Sequence, residues 1–346
     1  MSFRDCDELL LISIGRITFL SVAEKITLLN SVSDPYILSE LKKENFISLF
    51  KRNISAYWNG HENLLAAKKE LSILKAKKIE YILYDEKDYP FLLRQTTNAP
   101  FILFYRGNIN ALKKKTVSVV GTRLVSPEAK KAAYEFSYNA SKNGYAVVSG
   151  LAYGIDCISH SGAVDAVFDA DKNSVLPGGT VAVLPCGCES VVPKGNIRLA
   201  ENILKTGGCL LSEYVPGIQA ESWRFVQRNR IIASLSPAVV VIQAPPGSGS
   251  LITADYALEY GRDVIFHEAA FSENSMQISK VVMEKKTKIR EKQLNSSSFS
   301  LNSAEKFVFE GAPVIKNFQD YERCLEEIPG IRNNKEIQYE LFSEVC

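Results

Sequence analysis

The chain has 346 residues, of which 46% are hydrophobic and 23% are charged. These values are typical of a globular protein of about two domains, and they exclude a chain disordered throughout, a collagen and a coiled coil. The 41 basic and 39 acidic residues give a net charge of +2, which excludes a histone-like polycation but allows a local basic pocket.

The cysteine count and the lengths of the apolar runs indicate the cellular compartment of the protein. No apolar run reaches the length of about 18 residues that a spanning helix needs, and Asp5, Asp7 and Glu8 are unfavourable for a secretory signal peptide. Seven cysteines, an odd number in a chain of this length, favour a reducing compartment. Cys186 and Cys188 form a C-x-C pair without a nearby histidine, so buried small residues are favoured over a zinc site. We expect a cytoplasmic protein with no membrane segment and no metal.

Residues 1–78 are predicted to form a small, all-helical domain. Apolar residues recur at intervals of three and four, as at Leu10 and Ile14. Asp34 followed by Pro35 is typical of an N-cap with proline at the first helical position. Lysines near the end of this segment can form a solvated helix face or contact nucleic acid, and the solvated face is favoured.

From residue 116 onward, short β-branched runs alternate with helical patterns. Near-continuous apolar strands separated by helices indicate a parallel sheet covered on both faces, which is a Rossmann-like, doubly wound α/β domain. Such domains bind ligands beyond the carboxyl ends of their strands. The predicted strands are 117–120, 146–149, 181–184, 209–212, 239–243 and 264–266. The predicted helices are about 126–143, 155–166, 196–206, 223–235 and 250–260.

Residues 268–303 interrupt this alternation. They contain a charge run at 285–292 and a polar, low-complexity stretch at 295–303, so we predict a flexible surface insertion. A final αβ-like piece is expected at 306–328. The predicted domains are the helical domain at 1–78, the extended α/β domain at 79–330 with its insertion, and a C-terminal tail at 331–346.

Several predicted strand ends carry loops rich in glycine, serine and cationic residues. Because the carboxyl ends of parallel strands meet at one edge, these loops should converge. Glycine and serine let the backbone approach a ligand, and the N-termini of the following helices favour anions. The sequence therefore predicts a phosphate-binding rim. Its loops are 121–123, 149–156, 185–188 with 193–196, and 244–253, and its cationic residues are Arg123, Lys194, Arg228 and Arg230.

Signatures of nucleotide enzymes do not occur at this rim. No G-x-G-x-x-G with an acidic ribose partner follows the first parallel strand, and the loop at 247–250 lacks the lysine of a P-loop. His160, four residues after Asp156, is expected to hydrogen-bond or pack rather than to act as a base. Binding without catalysis and without a cofactor is therefore favoured.

A series of sequence motifs occurs in order along the chain. One such motif would be weak evidence for a family, but the whole ordered series is highly specific. The series is VVGTR at 119–123, SGLAYGID at 149–156, TVAVLPCGCESVVPKGN at 180–196, LLSEY at 210–214, FVQRNRIIASLS at 225–236 and GSLITADYALEYGRDV at 249–264. Together with the flanking stretches at 89–108 and 310–320, it resembles the DNA-processing protein A family (DprA, also called Smf). The helical N-terminus resembles the sterile-alpha-motif-like domain that many members carry.

The resemblance implies a single-stranded DNA-binding protein rather than an enzyme. Members of the family protect single strands, help load the RecA recombinase during natural transformation or recombination, and form homodimers through the Rossmann-like domain. By matching position, the implied DNA-contacting residues are Gly121, Thr122, Arg123, Ser149, Gly150, Lys194 and Asn196. Arg228, Asn229 and Arg230 match the R-N-R of the family, which could line the same pocket or bond strand-end carbonyls. Ser248, Gly249 and Ser250 of the last loop complete the predicted site.

Two departures from the family pattern accompany the insertion. His267-Glu268-Ala269-Ala270 stands where members usually have Pro-Gly, and no winged-helix-like domain is expected after residue 330. These differences affect the edge of the pocket, the expected dimer surface and any role of a third domain.

An enzyme on the same fold is the alternative. Nucleotide phosphoribohydrolases carry P-G-G-x-G-T-x-x-E, in which the carboxylate takes part in the chemistry. The corresponding stretch at 246–254 ends on Ala254 in place of the acid, and Asp255 comes one residue late. Release of free base from nucleoside monophosphates would distinguish this alternative from a DNA-binding protein.

Overall fold

The computed structural model describes residues 6–171, 175–292 and 302–327, apart from the side chains of 286–292. The tail predicted at 331–346 lies outside these ranges. The N-terminal part is helical, as predicted, and the expected cap is present: the Asp34 carboxylate accepts a hydrogen bond from the Tyr36 N–H at 2.6 Å, and Pro35 stands at the first helical position. The helices are α1 (Glu8–Gly15), α2 (Val22–Ser31), α3 (Pro35–Glu40), α4 (Lys43–Phe50) and α5 (Gly60–Lys77).

A mixed, mainly parallel sheet follows. In the described chain its strands are β1 (Glu80–Leu83), β2 (Ile102–Gly107), β3 (Thr116–Gly121), β4 (Ala146–Ser149), β5 (Thr180–Val183), β6 (Cys209–Ser212), β7 (Ala238–Gln243), β8 (Asp263–His267) and β9 (Val314–Ile315). Their order is β1-β2-β6-β5-β4-β3-β7-β8-β9. The pairs β1–β2 and β2–β6 are antiparallel, and the other neighbours are parallel.

The strand order reverses at β3. This strand pairs with β4 on one side and with β7, much later in the chain, on the other. The connections leaving β3 and β7 therefore go to opposite sides and leave a crevice at their carboxyl ends, where doubly wound folds bind ligands.

Helices cover both faces of the sheet, as the apolar strands predicted. Val119 of β3 belongs to a cluster with Phe136, and its neighbour Val120 belongs to a cluster on the other face with Ile231. The helices are α6 (Phe91–Arg94), α7 (Pro127–Lys142), α8 (Ile155–Phe168), α9 (Ile197–Lys205), α10 (Ser222–Ser234), α11 (Gly249–Glu259), α12 (Glu273–Lys292), α13 (Ala304–Phe309) and α14 (Phe318–Glu327). The Rossmann-like, doubly wound fold is confirmed.

Two antiparallel strands were not predicted. Turn signals at 88–90 and 98–100 punctuate the stretch that holds β1 and β2, so its sequence pattern does not indicate strands. Neither strand alternates between buried and exposed residues. In β1 one exposed residue is followed by three buried ones, and in β2 the residues become steadily more exposed toward the end of the strand. Their apolar side chains meet the N-terminal helices, so packing rather than local pattern defines these strands.

The insertion predicted at 268–303 has regular structure in its described part. A short 3-10 helix occupies Glu268–Phe271, and α12 continues to Lys292. The described part of the insertion is therefore helical rather than a loop, because lysine, glutamate and methionine have high helix propensity even where the α/β alternation is lost, while its flexibility stays a prediction. Residues 293–301 lie outside the described ranges, so the prediction remains a prediction there.

In the described ranges, no helix is long and apolar enough to cross a membrane. Cys186, Cys188 and Cys209 are buried. No group of three histidine, cysteine, aspartate or glutamate side chains in these ranges is placed to hold a metal ion.

Candidate functional site

A pocket of about 360 Å³ lies at the carboxyl ends of β3 and β7, where the strand order reverses. We call it the Arg123 pocket. It brings together three of the loops that the sequence predicted to converge, which are the turn after β3, the 149–156 loop and the 244–253 loop, and the N-terminal half of α10 completes its wall. Its predicted lining residues are Gly121, Thr122, Arg123, Arg228, Asn229, Ser248, Gly249 and Ser250.

Arg123 is an exposed cation at the mouth of this pocket. The preceding turn is fixed, because the Thr122 N–H donates to the Gln243 carbonyl at 2.8 Å and the Leu124 N–H donates to the Thr122 hydroxyl at 3.1 Å. The guanidinium lies 5.4 Å from the centre of the Phe225 ring, which supports one of its faces. In the part of the chain that the structure describes, no carboxylate forms an ion pair with Arg123, so its charge is available to an anion.

The N-terminus of α11 adds a second attraction for anions. The Ser248 side chain does not cap the helix and no acidic residue stands in its first turn. Instead, the hydroxyls of Ser248 and Ser250 lie 2.8 Å apart. The first N–H groups of the helix and the positive end of its dipole therefore border the pocket without a protein anion to satisfy them.

Arg228 holds the wall of the pocket together. Its side chain is 3% exposed and donates to the Gly150 carbonyl at 2.7 Å. It also lies 3.7 Å from the Asp156 carboxylate. Burial raises the pKa of Asp156, and the positive charge of Arg228 opposes part of that rise. A Cβ on Gly150 would lie 1.8 Å from Arg228 Nη1, so only glycine allows this approach. Arg228 thus lines the pocket mainly as a structural residue, and Asp156 is its counter-charge.

Four predicted residues, Gly150 among them, lie beside the Arg123 pocket rather than in it. The Ser149 hydroxyl is buried and donates to the Val119 carbonyl at 2.7 Å. The buried Asn196 side chain donates to the Leu151 carbonyl at 2.9 Å and ties the 193–196 turn to the 149–156 loop. Lys194, two residues earlier, is exposed. Ser149 and Asn196 therefore position the loops, and Lys194 can reach a ligand.

The structure does not bring Arg230 to the pocket. Its side chain is 10% exposed, pairs with Glu213 and donates to the Asn98 carbonyl at 2.7 Å. Arg230 therefore does not share the Arg123 pocket as the sequence predicted, and a contact between Arg230 and DNA stays a prediction. The other interpretation of the R-N-R motif, that its arginines bond strand-end carbonyls, describes Arg228, which bonds the Gly150 carbonyl directly after β4, whereas Arg230 bonds a loop carbonyl before β2.

Sequence reasoning missed Phe225 as a pocket residue. It lies one helical turn before Arg228, beside Ser222, and both line the pocket. The available signal was a phenylalanine three residues before Arg228, which places both on the same face of one helix.

His160 is buried and has no access to a ligand. Its Nε2 accepts a hydrogen bond from the Leu151 N–H at 3.3 Å, and its Nδ1 lies 2.6 Å from the Thr180 hydroxyl, which donates to the Val147 carbonyl. Burial, together with the nearby charge of Arg228, lowers the pKa of His160 to about 3. It is a neutral, hydrogen-bonded core histidine.

Comparison with known proteins identifies one family. The family model described as DNA recombination-mediator protein A matches residues 80–298. DNA processing protein DprA of Bacillus subtilis is 33% identical over 235 residues, which are 68% of this chain and 73% of that protein. Protein Smf of Borreliella burgdorferi is 28% identical over 261 residues, which are 75% of this chain and 79% of that protein.

Solved structures of the same kind are similar in fold. The X-ray structure of DNA processing protein A from Streptococcus pneumoniae has a TM-score of 0.62 and 27% identity, covering 90% of this chain and 94% of that one. DNA processing protein A from Helicobacter pylori, solved to describe its single-stranded DNA binding mode, has a TM-score of 0.54 and 22% identity, covering 72% of this chain and 96% of that one. At that identity the second likeness shows the fold alone.

Proposed function

Since the chain belongs to the DNA recombination-mediator protein A family, we propose that it binds single-stranded DNA and that the Arg123 pocket holds a backbone phosphate. One observation carries this proposal: an exposed arginine without an ion pair among the described residues stands beside an uncapped helix N-terminus at the point where the strand order reverses. Arginine and helix N–H groups together match the geometry and charge of a phosphate.

Lys194 provides a second cationic position on the same rim. It is exposed, and the turn that carries it is bonded to the 149–156 loop through Asn196. A strand that crosses both positions would place successive phosphates near Arg123 and Lys194. Because the chain as a whole carries a net charge of only +2, binding should depend on this rim rather than on a general positive field.

The remaining roles follow the family. We propose that the protein protects single strands in the cytoplasm, helps load the RecA recombinase and acts as a homodimer. It is not proposed to be an enzyme. The Asp255 carboxylate, which would come nearest to the acid of a phosphoribohydrolase, accepts hydrogen bonds from Asn302 at 2.7 and 2.9 Å, and Ala254 is buried. Asp156 is paired with Arg228 and His160 is buried, so neither is placed as an acid or a base.

Fluorescence anisotropy with oligo-dT and with a duplex of equal length tests this proposal. The single strand should bind more tightly, and log affinity should fall with log salt by about 0.7 per phosphate neutralised. Equal affinity for duplex, or affinity that salt does not change, would contradict it. Incubation with nucleoside monophosphates, in which no free base should appear, is the companion test of the enzyme alternative.

A further inference from the structure

An exposed tyrosine stands next to the Arg123 pocket. Tyr153 is 51% exposed and follows Ala152, which lines the pocket, in the 149–156 loop. A ring exposed to this degree keeps much of its surface available to a ligand.

Tyr153 lies between the two exposed cations of the rim. On one side its neighbour Gly154 packs against the turn of Arg123: a Cβ on Gly154 would lie 2.3 Å from the Thr122 carbonyl oxygen and 2.6 Å from Arg123 Cα. On the other side the Tyr153 hydroxyl approaches the turn of Lys194, because a Cβ on Gly195 would lie 2.9 Å from that oxygen. Tyr153 thus lies against the turn of Lys194 through its own hydroxyl and is one residue away from the contact with the turn of Arg123.

The loop that carries Tyr153 is fixed before any ligand binds. Its start is held by Arg228, which donates to the Gly150 carbonyl at 2.7 Å. Its middle is held by Asn196, which donates to the Leu151 carbonyl at 2.9 Å. Its end is held where the Ile155 N–H donates to the Thr122 carbonyl at 3.1 Å. A ring on a fixed loop can bind a planar group at low cost in conformational entropy.

We propose that Tyr153 is a stacking platform for an unpaired base whose flanking phosphates lie at Arg123 and Lys194. This inference rests on the proposed function. It names the Tyr153 ring as the group that distinguishes single-stranded DNA from duplex DNA. Every base has a π face, so the contact tolerates any sequence. Bases in a duplex already stack on one another, so they cannot offer that face to the tyrosine.

Anisotropy titrations with two strands of equal length test the proposal, one of oligo-dT and one of abasic spacers that keep the phosphates. Tyr153→Ala should weaken binding of oligo-dT by about five- to 150-fold, and Tyr153→Phe should bind it nearly as the wild type does. Neither substitution should change the affinity for the abasic strand. The control is Phe168→Ala, because Phe168 is 58% exposed at the far end of α8, the helix that follows the Tyr153 loop, and should leave both affinities unchanged.

Two results would overturn the proposal. Tyr153→Ala could leave oligo-dT binding unchanged, or it could weaken oligo-dT and abasic binding by the same factor, which would show that the ring positions the phosphate contacts instead. Failure of the proposed function looks different, because the wild-type protein would then bind neither strand.

Discussion

Single polar residues around the 149–156 loop are held by buried partners, and His160 shows what burial does to them. Its ring bonds Leu151 and approaches Thr180 in a region without solvent access, which lowers its pKa to about 3 from an ordinary value of 6.5. The unfolded chain therefore binds a proton at His160 more readily than the folded chain does. Stability from this residue is fully present above pH 6.5 and is lost as the pH falls toward 3.

We predict that His160→Asn flattens the acid side of the stability profile. Between pH 7 and pH 5 the wild-type free energy of unfolding should fall by about 2 kcal/mol through this residue alone. Urea denaturation of both proteins at the two pH values measures the difference. An equal loss in the variant and the wild type would show that His160 does not titrate on unfolding.

At the scale of elements, the arginines of α10 connect this helix to loops at the ends of several strands. Arg228 reaches the end of β4 through Gly150, and Arg230 reaches Glu213, after β6, and Asn98. The close approach at Gly150 is the tightest of these contacts, since a Cβ there would lie 1.8 Å from Arg228 Nη1. The pocket wall therefore depends on the fit between this helix and the loop after β4.

Gly150→Ala should destabilise the protein by about 1–3 kcal/mol, because the added methyl group displaces a buried, charged side chain. Gly249→Ala is the matched control: the nearest atom to its Cβ would be Asn229 Nδ2 at 4.0 Å, so the methyl group fits. Chemical denaturation of both variants measures the contrast. Equal stability of the two would contradict the packing described here.

The elements differ in how far the sequence could predict them. The parallel strands and their helices were found because each strand is a short apolar run and each helix restores the 3.6-residue period. Convergence of the turn after β3 with the loop after β7 followed from the rule for carboxyl ends of parallel strands. The different roles of Arg228 and Arg230 could not be predicted from the sequence. Residues two apart on a helix point in different directions, and only the packed structure shows which groups each side chain contacts.

At the scale of the whole molecule, the helical N-terminus and the sheet share an apolar cluster. Leu10 and Ile14 of α1 pack in it with Tyr81 of β1 and Phe104 of β2. Lys25 of α2 is buried at this junction, where its ammonium donates to the Gly15 carbonyl at 2.8 Å and desolvation lowers its pKa to about 8. The division into domains at 1–78 and 79–330 stays a prediction. The end of α5 and the start of β1 agree with that boundary, but the apolar cluster extends across it.

The central claim, that the molecule binds single strands through the Arg123 pocket, is tested most directly by measuring oligo-dT affinity and thermal stability on the same Arg123 variants. A charge-assisted contact to phosphate contributes about 1.5–3 kcal/mol, so Arg123→Ala should lower affinity by about tenfold to more than a hundredfold. Arg123→Lys should recover only part of it, because lysine keeps the charge and loses the planar fork. The control is Arg323→Ala on α14, where the side chain is 70% exposed, and it should bind as the wild type does. We expect Arg123→Ala to lose affinity with an almost unchanged melting temperature, whereas a stable Arg123→Ala protein that binds oligo-dT like the wild type would contradict phosphate binding at this pocket.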